Sequence, residues 1–345
     1  MPSAIIWCTM ISYLLTDSRI REARELLIGS GLDFDPNFDI FLGWYEGVRL
    51  IAVGARHRNV LKMVAVAPEY RDTGIFAEII SALVKDAYQA GYEHTFVFTK
   101  PEYSQSFQYL NFRPLAQTES VAVLEYGYSI QDYLNKWKSI VRQGANSGIV
   151  MNCNPFTFGH LYLIETAAVQ SDNVYVFVVE EDSSLIPFRT RLELVKKGTQ
   201  HLENVHILST GPYAVSRITF PSYFLKDADK VTQAQLKTDL SIFCGYIAPA
   251  FGIKKRFAGQ EPVCRLTAMY NDAMRETLPK NGIEFVEIER KTAGGRIISA
   301  SSVREMLLKG ETEKLREMVP EATYKYLTEN TGVLASKNAT PVLNS

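Results

Sequence analysis

Cysteine is scarce in this chain: four among 345 residues, at positions 8, 153, 244 and 264. No two form a CxxC pair or sit near histidines at metal-ligand spacing, which excludes a zinc ribbon and a disulfide framework and predicts a reducing compartment. Surplus charge is missing as well. Lys and Arg number 37 against 38 Asp and Glu, a net charge of −1, so nucleic acid is not held by bulk electrostatics. No uninterrupted apolar run approaches the ~20 residues that cross a bilayer, and no internal repeat is evident. The opening MPSAIIWCTMISYLL has no basic n-region and no small-residue cleavage site, which argues against a secretion signal. The expectation is a soluble, cytoplasmic protein with no membrane and no nucleic-acid partner. No cluster of carboxylates marks a metal site, so no side chain is named as a metal ligand.

The length exceeds one ordinary domain of about 150 residues, which predicts two. FDIFLGWYEGVRLIAVGAR reads as a β-hairpin turning at Glu46-Gly47. NVLKMVAVAPEY supplies a strand, GIFAEIISALVKDAYQAGY a helix ending at Gly91, HTFVFTK a strand, SQSFQYLNF a short helix and 121–124 a last strand. That is a mixed α/β domain over 1–128. Ile130, Tyr133, Leu134, Trp137 and Val141 share one face, which predicts a linker helix within 129–147, after which RQGANSG loosens the chain. Strands and helices then alternate from 148 to 332: 148–151, the His160 helix, NVYVFVVEE, RTRLELVKKG, NVHILST, KKRFAGQ and IEFVEIER. Alternation of this kind predicts a doubly wound parallel sheet. The end, 333–345, reads as a disordered tail.

GIVMNCNPFTFGHLYLIETAAV runs from a short apolar stretch through Asn, Pro and Gly into Leu161, Ile164 and Ala168 at helical spacing. The segment reads strand, tight loop, helix, the place where free N–H groups and a helix dipole face a phosphate. Gly159-His160 as a plain helix start is the bland alternative. Further on, Ser302 and Glu305 have capping-box spacing. Arg189 and Arg191 either reach phosphate or line a solvated helix face.

NPFTFGH is similar to the first signature of the nucleotidylyltransferase superfamily, with Thr157, Gly159 and His160 matching, and ISASSVR to its second, with Ile298, Ser299, Ser301 and Arg304 matching and Ala300 in place of a Ser. The resemblance implies a Rossmann-like domain that uses ATP. In it His160, Thr157 and Arg304 are catalytic, donating to charge that builds on the phosphates. ATP contacts are implied at Asn154, Pro155, Phe156 and Gly159, where the missing side chain lets backbone approach phosphate, and at Gly259, Ser299, Ser301 and Ser302. The first domain resembles GNAT acetyltransferases through VAVAPEYRDTGIFAEII and FTKPEYSQSFQYLNFRPLA. Arg71 and Gly74 match its pyrophosphate turn, and Phe76 stands where Gly or Ala is usual, crowding a backbone-bound phosphate.

A GNAT-like domain followed by NPFTFGH, RFAGQEPVCRLTAMYN and ISASSVR resembles the citrate lyase ligase family to about residue 330. In that family RFxGEEP is usual, so Gln260 replaces an acid and Glu261 is retained. The resemblance implies a ligase that forms acetyl-adenylate from acetate and ATP, with Mg²⁺ accompanying the nucleotide. It then passes acetyl to the prosthetic thiol of the acyl carrier (gamma) subunit of citrate lyase, whose CoA-type arm Arg71 and Gly74 would hold. The alternatives are an adenylyltransferase acting on a phosphopantetheine or nicotinamide nucleotide, a tRNA-modifying acetate ligase, and a non-catalytic carrier-docking protein.

Overall fold

The computed structural model describes residues 9–180, 184–214, 228–261 and 264–334. Cys8 with most of the opening segment, residues 262–263 of the RFAGQEPVCRLTAMYN stretch, and the expected tail from 335 onward lie outside the described residues. The chain divides into two compact units, 1–133 with 215–242, and 134–214 with 243–345.

The first unit runs β1 (Thr9–Tyr13), α1 (Asp17–Gly29), β2 (Ile40–Glu46), β3 (Arg49–His57), β4 (Val60–Val66), α2 (Ile75–Gln89), β5 (His94–Thr99), α3 (Ser104–Gln108), β6 (Arg113–Gln117), β7 (Ala122–Gly127) and the start of α4 (Ile130–Trp137). Its seven-stranded mixed sheet has the order β1-β2-β3-β4-β5-β7-β6. The hairpin at Glu46-Gly47 forms as expected, with Glu46 opposite Arg49. β4 and β5 are the one parallel pair, joined only at Val60↔Phe96 and Leu61↔Val97. Ile79 and Leu83 of α2 press onto Leu42, Ile51, Leu61 and Val97 of the sheet. Burying each such side chain stabilises the fold by about 1.5–3 kcal/mol. Phe76 corrects the sequence expectation: its ring meets Phe107 edge-on, centroids 5.0 Å apart, and packs against the core instead of standing over the turn at Arg71–Gly74.

The second unit runs β8 (Asn146–Met151), α5 (Phe158–Val169), β9 (Asn173–Val178), α6 (Phe188–Thr199) and β10 (Val205–Ser209). After α7 (Ala228–Ile242), which groups with the first unit and packs on β6, come α8 (Ala248–Phe251), β11 (Ile253–Gly259), α9 (Arg265–Lys280), β12 (Glu284–Ile288), β13 (Thr292–Ala293), β14 (Arg296–Ile297), α10 (Ala300–Leu308) and α11 (Glu321–Glu329). The stretch RQGANSG is not slack. Asn146 is buried with its amide on Arg142 O and Phe251 O, both 2.8 Å, and Ala145 N donates to Asp172. The five-stranded sheet β10-β9-β8-β11-β12 is parallel throughout. β8 is laid first, β9 and β10 on one side, then β11 and β12 on the other. The order reverses between β8 and β11, and sheets of this order hold ligands outside the strands' carboxyl ends at such a reversal. Ile149, Val174, Val176 and Phe257 of the strands pack against Ile164 and Ala167 of α5 and Leu194 and Val195 of α6. Strands buried on both faces read as continuous apolar runs, which is why NVYVFVV was recognisable. The α/β class with a mixed and then a parallel sheet is as the sequence predicts. Among the described residues no helix is long and apolar enough to cross a membrane.

Arg56 is a buried cation of the first unit, its Nε donating 2.7 Å to Asp86 and its Nη1 3.1 Å to Asp39. Removing one partner of a buried pair leaves the other charge without solvation. Asp86→Ala is therefore expected to destabilise the protein by about 3 kcal/mol in urea unfolding, whereas Glu313→Ala, which breaks an exposed pair with Arg316, changes it by less than about 1 kcal/mol.

Candidate active site

The loop between β8 and α5 is fixed from beneath by Arg191. This side chain is fully buried and donates to Asn152 O at 2.6 Å, Asn152 Oδ1 at 2.8 Å, Val179 O at 2.9 Å and Ile186 O at 3.0 Å. Neither sequence expectation for Arg191 holds, because it reaches neither phosphate nor water: its donors hold the ends of β8 and β9 in place. Asn154 Oδ1 accepts from Ile186 N at 3.1 Å, and Cys153 adopts φ +54, a strained conformation that persists only where its surroundings enforce it. Burial pushes the Cys153 thiol up, so it is inert as a nucleophile.

α5 begins at Thr157, whose hydroxyl accepts from His160 N at 3.4 Å, while Thr157 N donates to His160 Nδ1 at 3.1 Å. This is a capping box with histidine in the place usually held by Glu. A backbone N–H can only donate, so Nδ1 is an acceptor and the ring proton sits on Nε2. Phe156, wholly buried, stacks on the imidazole with centroids 6.0 Å apart. Desolvation first, and then the Arg290 charge, lower the His160 pKa to about 4. At neutral pH His160 is an uncharged imidazole offering one Nε2–H donor.

The second motif meets the first. Ser299 caps α10, its hydroxyl accepting from Ser302 N at 3.0 Å and lying 2.7 Å from Ser302 Oγ. The cap is thus Ser299 with Ser302, not Ser302 with Glu305, whose carboxylate pairs with Lys309. Arg304 donates Nη1 to Asn154 O at 2.6 Å and Nη2 to Ser301 Oγ at 3.1 Å. Desolvation lowers its pKa, yet a guanidinium stays charged at neutral pH. Gly159 meets this segment with bare backbone: a Cβ there would sit 2.9 Å from Ile298 O, just before α10.

Asn154, Pro155, Phe156, Thr157, Gly159, His160, Ser299, Ser301, Ser302 and Arg304 are therefore gathered around two helix N-termini. Pro155, Phe156 and Thr157 are buried and shape the loop from inside. Gly259 ends β11 beside them; its carbonyl accepts from Asn271 Nδ2 at 3.0 Å, and the next residue's carbonyl accepts from Arg290 Nε at 2.6 Å. Arg71 and Gly74 are on the first unit, exposed, with Gly74 at φ +86 opening α2 without a side-chain cap. The sequence reading missed Arg290 and Lys291, a basic pair just past the carboxyl end of β12. Lys291 Nζ stands 5.8 Å and 5.7 Å from the ring centres of Phe158 and Tyr162. A basic pair at the end of a predicted parallel strand was the available signal. Among the described residues no three His, Cys, Asp or Glu side chains converge on a metal position.

The C-terminal domain of citrate lyase ligases matches residues 146–327. The chain is 37% identical to the [citrate [pro-3S]-lyase] ligase of Escherichia coli K12, over 90% of this chain and 91% of that protein. Its similarity to the ligases of Haemophilus influenzae (37% identical, 88% and 93% covered) and Klebsiella pneumoniae (35%, 92% and 95%) is of the same order and extent.

The His160 environment makes a spectroscopic prediction. An unfolded His takes up its proton near pH 6.5 and the folded ring only near pH 4, so between those values acid favours the unfolded chain. NMR of ¹⁵N-His-labelled protein is expected to show the Nε2–H tautomer at pH 7 and a His160 midpoint near 4. The wild type should also lose more stability between pH 6.5 and 4 than His160→Asn. A midpoint near 6.5 would contradict the packing described.

Proposed function

The chain belongs to the citrate lyase ligase family, and on that premise we propose that it activates citrate (pro-3S)-lyase by ligating acetate to the lyase's acyl carrier subunit in two steps. The observation that carries the adenylation step is the pair of helix N-termini, α5 with the His160 Nε2–H and α10 with its serines, tied together by Arg304 on Asn154 O. Two dipole ends, a neutral imidazole donor and a fixed guanidinium form a receptor for a polyphosphate.

In the first step an acetate oxygen bonds to the α-phosphorus of ATP, the bond to the bridging oxygen breaks, and pyrophosphate leaves with the electron pair. No proton is transferred. His160 donates to the α-phosphoryl oxygens, where a neutral donor stabilises growing charge without needing a base, and Thr157 keeps the ring's proton on the outward nitrogen. Arg304, Ser299, Ser301 and Ser302 take the β- and γ-phosphates. In the second step the carrier thiol, losing its proton to water, attacks the acetyl carbonyl and AMP departs. Mg²⁺ belongs to the nucleotide in this reading, as Mg–ATP, coordinated mainly by phosphate oxygens and water; among the described residues no carboxylate cluster competes for it.

The turn at Arg71–Gly74 is assigned to the carrier's CoA-type arm: its backbone N–H groups lack a side-chain cap and Phe76 is packed inward. Free thiols at Cys153, Cys244 and Cys264 fit a cytoplasmic setting.

The test of the first step is pyrophosphate–ATP exchange. It is expected to require acetate and to yield AMP as the one nucleotide product after carrier is added, with His160→Ala lowering the rate about 10²–10³-fold in a folded protein. Exchange without acetate, or a nucleotide product other than AMP, would indicate an adenylyltransferase instead. For the arm, Arg71→Glu should raise the KM for carrier and leave acetate-dependent exchange unchanged; an unchanged carrier KM removes the first unit from that role. A point variant is the right tool, since deleting the first unit's N-terminal portion would strip α7 of the β6 surface it packs on.

A further inference from the structure

β11 and β12 lie side by side, and Gln260 N extends the pairing one residue past the strand by donating to Ile288 O at 2.8 Å. Beyond that point the two chains stay joined through Arg290. Its Nε donates to Gln260 O at 2.6 Å, and its Nη2 forms an ion pair with Glu261 Oε2. The Glu261 side chain is 9% exposed and its other oxygen accepts from Cys264 N at 3.1 Å. Both carboxylate oxygens are thus engaged, and the guanidinium that Oε2 holds has two of its three nitrogens committed, with Nη1 uncommitted among the described residues. At position 260 it is the backbone carbonyl, not the side chain, that holds Arg290.

The position of this clamp matters. Lys291 O accepts from Ile298 N at 3.0 Å, and Ile298 O is the atom against Gly159. Residues 290–291 are thereby attached to the segment that packs on the first turn of α5, and the Arg290 charge acts on the His160 ring.

We propose that Arg290 is a further catalytic residue of the adenylation step, a guanidinium that meets the α-phosphate as it is transferred, with Glu261 as the positioning residue that fixes its fork. The inference rests on the ligase reading above. In the step already written, charge shifts onto the phosphoryl oxygens and the departing pyrophosphate. A cation clamped beforehand needs no reorganisation to meet that charge, and Nη1 is the nitrogen left to donate to it.

The experiment compares the full-length wild type with Arg290→Met, Arg290→Lys and Glu261→Gln. It reads acetate-dependent pyrophosphate exchange at saturating Mg–ATP, the KM for ATP, and thermal unfolding. Arg290→Met is expected to lower kcat about 10²–10³-fold with much less change in KM. Arg290→Lys should recover part of that loss. Glu261→Gln keeps the charge and frees it, and is expected to lower kcat about 10–100-fold. A wild-type kcat in Arg290→Met, or a change in KM alone, overturns the catalytic assignment. A wild-type kcat in Glu261→Gln overturns the positioning role. A wild type with no acetate-dependent exchange would overturn the parent reading, whereas normal exchange in both the wild type and Arg290→Met overturns this inference alone.

Discussion

One hydrogen bond, from Arg304 Nη1 to the carbonyl of Asn154, joins helix α10 to the loop between β8 and α5, 150 residues apart in sequence. Everything at the site is arranged around that closure. Asn154 lies in a loop that cannot form regular backbone pairs, so its carbonyl needs a partner from elsewhere. Arg304 supplies it from one side, Arg191 holds Asn152 from the other, and Phe158 N reaches Met318 O at 2.9 Å. The strained Cys153 is kept in place by contacts on both flanks.

A helix start and a phosphate receptor are here the same object. Thr157 and Ser299 satisfy backbone donors that any helix must satisfy, and in doing so they set the tautomer of His160 and the exposure of Ser301. The bland and functional readings of these residues are compatible because both depend on unpaired N–H groups at the same end. The histidine differs from an ordinary capping residue in its second nitrogen, which the cap leaves outward and protonated.

The sequence makes the alternation of β8 to β12 legible because buried parallel strands are apolar without interruption. It also announces the α5 loop, where Asn, Pro, Gly and His interrupt that pattern. Other parts are set by contacts with no local mark. β6 begins with Arg113-Pro114 and is short, as an edge strand can be; only its pairing with β7 makes it a strand. The start of α10 could be read at either of two serines, and the packing of Ile298 on Gly159 selects Ser299. Arg290 looks like any surface basic residue until Glu261, 29 residues earlier, is brought beside it. Phe76 misled for the converse reason: a bulky residue in a glycine's place suggested an obstruction, and the first-unit core gives its ring somewhere else to go.

Helix α7 comes from the middle of the ligase sequence yet packs on β6 of the first unit. During synthesis the first unit's strands are complete once β7 has emerged, but its outermost strand waits for a cover encoded roughly a hundred residues later. At about 5–20 residues per second that interval is about 5–20 s. An edge strand bare for so long is a template for pairing with another nascent chain. Pro114, which has no N–H to offer such a partner, stands in that strand. The late arrival of α7 makes the ribosome's pace, and any chaperone resting on the emerging chain, part of how this enzyme reaches its folded state.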